Sequence, residues 1–266
     1  MNIAVMSGDE SYLSREEVRN MCEAISRQGH ILVPAVASEA LPDGTDMLLS
    51  VGGDGTFLVS ASMAAPSGIP VLGVNLGRLG FLSENTPGAV VEALGTGNFH
   101  IQTRAMVQAR VADREFLALN DITVRRGGNS MLGVRLSVDG KELPTYWADG
   151  MILATPSGST AYALSAGGPI VLPASRVLVV APIAPHNLNV RPLIVPLESH
   201  ISMEFITRDD NVVFTADNRS CNMPSSVRVD AAVAQFSLKR VCLDNANFIK
   251  ALSEKLFWGE DKRNEN

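Results

Sequence analysis

A single carboxylate set among glycines is the arrangement in this chain most suited to chemistry. Val51-Gly52-Gly53-Asp54-Gly55-Thr56 directly follows the apolar run Met47-Leu48-Leu49-Ser50. Glycines let a backbone approach a ligand closely and accept torsions that side chains forbid. The apolar run, the turn and the following Phe57-Leu58-Val59-Ser60-Ala61 read as strand, loop and helix, so the amides opening the helix would suit an anion. Asp54 would stand beside that anion. Such a placement is repulsive unless a metal ion or a proton transfer gives the carboxylate a purpose. A plain Gly-Asp-Gly turn with a solvated aspartate fits the tetrapeptide equally well.

One absence shapes this reading. The chain has five lysines, and none precedes Lys141. A P-loop places a lysine immediately after its glycine-rich turn to hold the terminal phosphates. If this loop serves a nucleotide, the charge must be met by backbone amides, by magnesium or by an arginine from elsewhere.

Three further stretches could carry chemistry. Asp149-Gly150 opens a strand that runs into Thr155-Pro156-Ser157-Gly158-Ser159-Thr160-Ala161-Tyr162-Ala163-Leu164-Ser165-Ala166-Gly167-Gly168-Pro169. Small hydroxyls and exposed amides suit ribose and amide groups, and Tyr162 could lie against a planar base. The alternative is an ordinary Ser/Thr/Gly loop with Tyr162 plugging the core. Asn120-Asp121 follows Phe116-Leu117-Ala118-Leu119 and could hold a ribose diol, although Asn-Asp is also a turn signal. In the proline-stiffened segment Pro182–Pro192, His186 could serve a ligand and Arg191 could meet phosphate, but a hydrogen-bonding strut and the partner of a surface carboxylate are the favoured readings.

These stretches need a frame to hold them. With 266 residues, 46% apolar and 19% charged, the chain has material for one large or two ordinary globular domains. Strands Ile3–Val5, Ile31–Val33, Met47–Val51 and Val71–Val74 alternate with helical segments, which implies a parallel α/β sheet. Ser14 with Glu17 reads as a capping box before the helical face Val18, Met21, Cys22 and Ile25, and Thr86-Pro87 opens another helix. In such sheets ligands bind beyond the carboxyl ends of the strands, where both Gly52–Gly55 and Asn75-Leu76-Gly77-Arg78-Leu79-Gly80-Phe81 lie. Near Phe99 short alternating segments take over, with an Asp139-Gly140 hairpin turn, and suggest a β-rich, sandwich-like second domain. Phe248, Leu252 and Leu256 form a last helical stripe expected to pack back on the first domain. The expected division is therefore 1–98 plus 243–266 for the α/β domain and 99–242 for the β-rich one, with polar residues 260–266 frayed.

Net charge near −6 leaves no electrostatic footprint for nucleic acid or an acidic membrane surface, and no apolar run approaches bilayer length. Cys22, Cys221 and Cys242 are odd in number and far apart, which fits free thiols in a reducing compartment. No pair of cysteines or histidines has zinc-ligand spacing. With no signal-like start, a cytoplasmic location is expected.

Taken together, Gly52-Gly53-Asp54-Gly55, Leu76–Phe81, Asn120-Asp121, Thr155–Pro169 and Pro182–Pro192 resemble the NAD kinases of bacterial type, from about Asp46 to Pro196. GGDG alone is shared with diacylglycerol and sphingosine kinases and with phosphofructokinases. The Thr-Pro-Ser-Gly-Ser-Thr-Ala-Tyr run and Pro-Ile-x-Pro-His are far more specific. The resemblance implies phosphoryl transfer from ATP, with a divalent metal (magnesium), to the 2′-hydroxyl of the adenosine ribose of NAD, giving NADP. It implies an α/β domain and a β-rich domain with the active site in the cleft between them, and a homo-oligomer, dimer or tetramer. It makes Asp54 the catalytic carboxylate. Asp54, Gly55, Phe81, Asn120, Asp121, Asp149, Ala161, Tyr162 and Ser165 fall on NAD-contact positions, while Gly52, Gly53, Gly55, Thr56 and Arg78 are the phosphate candidates. No metal ligands are identified. Asp121 stands where a glutamate is common, and Asp217-Asn218 stands where relatives have Asp-Gly, with Asn218 expected to take the left-handed conformation.

A lipid kinase sharing GGDGT would need an apolar or basic membrane-facing surface, which this acidic chain lacks. A nucleotide sensor without turnover gains nothing from Asp54 facing phosphate. A dinucleotide oxidoreductase would need Gly-x-Gly-x-x-Gly after its first strand, and none follows.

Overall fold

The computed structural model describes residues 1–37, 39–77, 80–243 and 248–256. Arg78 and the polar residues 260–266 lie outside the described residues. The chain forms two compact units: Met1–Thr103 with Leu238–Asn266, and Arg104–Ser237.

The first unit is built on a six-stranded sheet. Its order is Ile31–Pro34, Asn2–Ser7, Met47–Val51, Val71–Val74, Leu238–Leu243 and Phe99–Arg104, and the first five strands run parallel. Strand Met47–Val51 is buried throughout, as expected of a central parallel strand whose two faces are both covered. Val51 pairs with Val74, so the loops that follow these two strands leave the same edge of the sheet side by side. That register brings the Gly52–Gly55 turn next to the segment beginning at Asn75.

Helix Glu16–Arg27 buries Val18, Met21 and Ile25, the expected face. Its capping differs from expectation. Arg15 occupies the N-cap without a side-chain bond, and Ser14 instead ends a short helix, Glu10–Leu13, whose start Asp9 caps. The Ser14–Glu17 pair places the helix start one residue too early. Helix Pro87–Thr96 is bounded as read: the Thr86 hydroxyl accepts from the Ala89 amide, proline stands in the first turn, and Gly97 closes it at φ 74°.

The second unit is an antiparallel sandwich. One sheet orders Lys141–Glu142, Leu132–Val138, Ile201–Ile206, Val229–Val233, Val107–Val111 and Arg114–Ala118, with Tyr146–Ala148 also on Leu132–Val138. The other orders Leu193–Pro196, Val177–Ile183, Gly150–Ala154, Asp121–Arg126, Asn211–Ala216 and Arg219–Pro224. One core joins their inner faces, including Val134, Met203 and Val229 from the first and Val124, Leu153 and Phe214 from the second. Asp139 and Gly140, at φ 51° and 75°, make the two-residue hairpin turn.

Two strands lie elsewhere than the expected boundaries at 98/99 and 242/243 implied. Phe99–Arg104 and Leu238–Leu243 belong to the sheet of the first unit. Phe99–Arg104 is a half-exposed edge strand whose alternation imitates the sandwich strands that follow it. Lys239 and Arg240 give Leu238–Leu243 the look of a surface strand, yet Arg240 is buried within the sheet. The final helix, Phe248–Leu256, packs on the first unit through Phe248 against Phe81.

Phe214 is fully buried and its ring lies 4.7 Å from that of Phe116. Phe214→Ala is expected to destabilise the sandwich by about 3–5 kcal/mol, read as a lower urea midpoint with unchanged slope.

Candidate active site

Asp54 is the first residue of helix Asp54–Ala64, and Gly53 is its extended N-cap. Its carboxylate is fully committed in orientation. Oδ2 accepts from the Phe81 amide at 2.9 Å, and Oδ1 from the amides of Leu82 and Ser83 at 3.1 and 2.8 Å. Three consecutive peptide N–H groups thus converge on one side chain. The two loops that leave the sheet side by side are joined through it.

The glycines divide by function. A Cβ on Gly80 would fall 1.9 Å from Asp54 Oδ1, so only glycine lets the segment come this close. Cβ atoms on Gly8 and Gly52 would lie 2.3 and 2.5 Å from Oγ1 of Thr56, which is cradled between them. Gly52 also has φ 150°, at the margin of what a side chain allows. Gly53 and Gly55 are different: both are exposed, and added Cβ atoms would meet nothing within 4 Å. Their missing side chains leave open ground beside Asp54.

The segment bearing the three amides is itself braced. The Ser83 hydroxyl donates to the Gly52 carbonyl at 2.8 Å, and Asn75 Nδ2 to the Ser83 carbonyl at 2.9 Å. Asn85 Nδ2 reaches the Gly73 carbonyl at 2.9 Å. Ser83, Asn75 and Asn85 were not singled out by residue pattern, because their partners are backbone atoms. The glycine at position 80 was the only hint that something approaches closely there.

In the second unit the same device recurs. Asp217 accepts from the amides of Leu119, Asn120 and Asp121 at 2.8, 2.8 and 3.2 Å, and its own amide donates to the Asp121 carbonyl. Asp217, at φ 52°, takes the left-handed conformation expected of Asn218. Its carboxylate needs that backbone to reach back across the hairpin, and aspartate is among the few side chains that tolerate it. The Asn120-Asp121 pair is thereby held against the end of strand Gly150–Ala154. The Thr155 amide donates to the Asn120 carbonyl at 2.9 Å, and a Cβ on Gly158 would fall 2.1 Å from that same oxygen.

Two features of this arrangement carry an energetic cost. Asn120 Oδ1 is buried without a hydrogen-bond partner among the described residues. Asp121 is only 6% exposed and its side chain accepts from the Thr123 hydroxyl at 3.1 Å. Burial, with the neighbouring Asp217 carboxylate adding to it, pushes the Asp121 carboxyl up from 3.8 to about 6. Burial also raises Asp217, against the pull of its three amides.

The remaining candidates lie nearby in the chain but differ in setting. Tyr162 is 39% exposed, and so is not a core plug. It begins the short helix Tyr162–Ser165, which also carries Ser165, and Ala161 precedes it. Ser159 is structural: its hydroxyl donates to Pro156 and accepts from the Val171 amide. Asp149 pairs with Arg126 at 3.1 Å, with both side chains over a third exposed. Arg191 donates to the carbonyls of Leu188 and Val190 rather than to the expected carboxylate. At His186 the backbone amide, not the ring, makes the strut, donating to Trp147, while Asn187 Oδ1 accepts from the Trp147 amide.

Two outcomes are expected from these contacts. Gly80→Ala displaces the Asp54 carboxylate and abolishes any activity that depends on it, with little change in helix content by circular dichroism. Asp121→Asn acts on stability. A carboxyl raised by burial is tolerated when protonated and costs stability once pH rises through its folded value. The variant should therefore be more stable than the parent above pH 6, by on the order of 2–3 kcal/mol. That gain should shrink as pH falls from 6 towards 4, checked by urea titrations at pH 7.5 and 5.

Comparison with known proteins agrees with the geometry. Residues 7–97 match the ATP-NAD kinase N-terminal domain, and residues 119–243 the ATP-NAD kinase C-terminal domain. The chain is 40% identical to an NAD kinase of Cytophaga hutchinsonii over 228 residues, covering 82% of this chain and 78% of the relative. It is 38% identical to one of Flavobacterium johnsoniae over 239 residues, covering 86% and 81%. Among solved structures, yeast NADH kinase complexed with NADH matches with a TM-score of 0.85 at 25% identity, covering 100% of this chain and 90% of that one. An NAD kinase from Archaeoglobus fulgidus in complex with ATP matches at 0.80 and 28% identity, covering 97% and 99%. With both domain models matched in chain order and relatives 38–40% identical over more than four fifths of its length, the chain belongs to the NAD kinase family.

Proposed function

We infer that this chain transfers the terminal phosphoryl group of ATP to the 2′-hydroxyl of the adenosine ribose of NAD, giving NADP and ADP. The observation that carries the reading is Asp54, oriented by three amides and flanked by the open ground over Gly53 and Gly55. In the transfer the ribose oxygen bonds to the γ-phosphorus, the bond to the bridging oxygen breaks, and the hydroxyl proton leaves through Asp54. The transition state is loose, so holding the hydroxyl in line matters more than early proton removal. A carboxylate offers about four acceptor positions, and three are taken here, which leaves about one for the hydroxyl.

Gly52, Gly53, Gly55 and Thr56 are proposed to meet the phosphates, together with Arg78. NAD is assigned to Asp54, Gly55 and Phe81 and to Asn120, Asp121, Asp149, Ala161, Tyr162 and Ser165. The unpartnered Oδ1 of Asn120 supports that assignment, because a buried acceptor costs about 1–3 kcal/mol until a donor arrives. The exposed ring of Tyr162 offers a face for stacking.

Magnesium fits as a substrate-borne ion. No group of three His, Cys, Asp or Glu side chains stands together among the described residues. Magnesium commonly keeps several waters and is held largely by substrate phosphates, so an ion carried in on ATP needs few protein oxygens. The bound ion would neutralise charge on the phosphates. We further propose a homo-oligomer, to which Leu193 and Ile194, exposed on an edge strand, could contribute. The three free thiols support a cytoplasmic enzyme of NADP synthesis, and no described helix is long and apolar enough to cross a membrane.

The deciding assay follows NADP formation from NAD, ATP and magnesium. Asp54→Asn should lower kcat by at least about 10²–10⁴-fold, while NAD binding measured by calorimetry stays within a few-fold. Turnover within tenfold of the parent would remove Asp54 from the chemistry.

A further inference from the structure

The three amides that hold Asp54 are not equivalent when traced through their own peptide groups. The Phe81 N–H belongs to the peptide whose carbonyl is that of Gly80, and this carbonyl accepts from Lys255 Nζ. The Ser83 N–H belongs to the peptide whose carbonyl is that of Leu82, which accepts from Arg240 at 3.1 Å. Two of the three peptide groups therefore stand between a cation and the Asp54 carboxylate, with the positive charge at the oxygen end and the negative charge at the N–H end. The peptide of the Leu82 N–H has the Phe81 carbonyl, which neither cation bonds.

Both cations are well shielded. The Arg240 side chain is 6% exposed and that of Lys255 12%. Glu84 lies between them, 2.6 Å from Arg240 and 3.6 Å from Lys255, and holds the pair in place. Lys255 also sits over the Phe81 ring at 5.0 Å. In surroundings of low dielectric, hydrogen bonds in a chain polarise one another, and a charge at one end strengthens the bond at the other.

We propose that Arg240 and Lys255 are positioning residues for phosphoryl transfer, acting on Asp54 through the peptide groups Leu82–Ser83 and Gly80–Phe81. They lie far along the chain from the GGDG turn, on strand Leu238–Leu243 and helix Phe248–Leu256. The inference rests on the reading of Asp54 as the catalytic carboxylate.

The test joins kinetics to amide proton resonances of the uniformly labelled full-length protein. Lys255→Met should lower kcat by about tenfold while KM for NAD and for ATP stay within about twofold. Lys255→Arg, which keeps a cation, should recover most of the rate. Arg240→Gln keeps a donor but removes the charge, and so avoids leaving the buried site empty. The Phe81 amide proton should move upfield in Lys255→Met and the Ser83 amide proton in Arg240→Gln, with Leu82 moving least in both. A role confined to packing would shift all three together or none. Unmoved resonances, or an unchanged kcat, overturn the proposal. If the resonances move as expected but Asp54→Asn turns over like the parent, the polarised contacts stand and the assignment of Asp54 is what fails.

Discussion

The first unit depends on one carboxylate gathering three consecutive peptide N–H groups. Asp54 can do this because parallel strands Met47–Val51 and Val71–Val74 are paired in register, so their following loops emerge together. The bond set in turn demands glycine at position 80, since any Cβ would occupy the space of the carboxylate oxygen. Ser83, Asn75 and Asn85 then tie the amide-bearing segment to the sheet edge through backbone carbonyls. The result is a side chain whose direction is set by backbone rather than by neighbouring side chains. Such a setting loses little geometry when a ligand exchanges, and orientation is what a loose phosphoryl-transfer transition state asks for.

The second unit repeats the principle with a different emphasis. Asp217 organises the Leu119–Asp121 amides, but the side chains it presents are left in uncomfortable states: Asn120 with an unpartnered acceptor and Asp121 raised by burial. Asp217 itself pays with a left-handed backbone. Discomfort is thus concentrated where the Leu119–Asp121 segment meets the Asp217 turn, inside a sandwich otherwise packed by apolar side chains, and strained or unpaired groups of this kind cluster at functional sites in proteins generally.

Much of the architecture was readable from residue pattern. Alternation of apolar strands with helical faces foretold the parallel sheet, Thr86-Pro87 marked a helix start, and Asp139-Gly140 marked a hairpin. The GGDG turn stands out because three glycines around one carboxylate directly follow an apolar strand and precede a helix. What escaped notice has a common cause. The partners of Asp54 and Asp217 are backbone amides, which every residue carries, so no residue type announces them. Strand Leu238–Leu243 reads as part of the β-rich domain because it follows the sandwich strands in the chain, and its pairing with Val71–Val74 is a long-range contact that residue pattern does not announce. Arg191 looked like an ion-pair partner, yet nearby carbonyls were the acceptors it found.

The place of strand Leu238–Leu243 bears on how the protein comes into being. It lies between Val71–Val74 and Phe99–Arg104, so the first sheet is split until that strand is made. All of Arg104–Ser237 is translated in the interval, and that unit is continuous in the chain. At about 5–20 residues per second the gap lasts on the order of ten seconds. Throughout it Val71–Val74 offers a bare edge to whatever is near, while the sandwich is free to fold first. The half of the protein that begins at the N-terminus is thus the half that finishes last, and a nascent chain would meet chaperones with the edge of its first sheet still open.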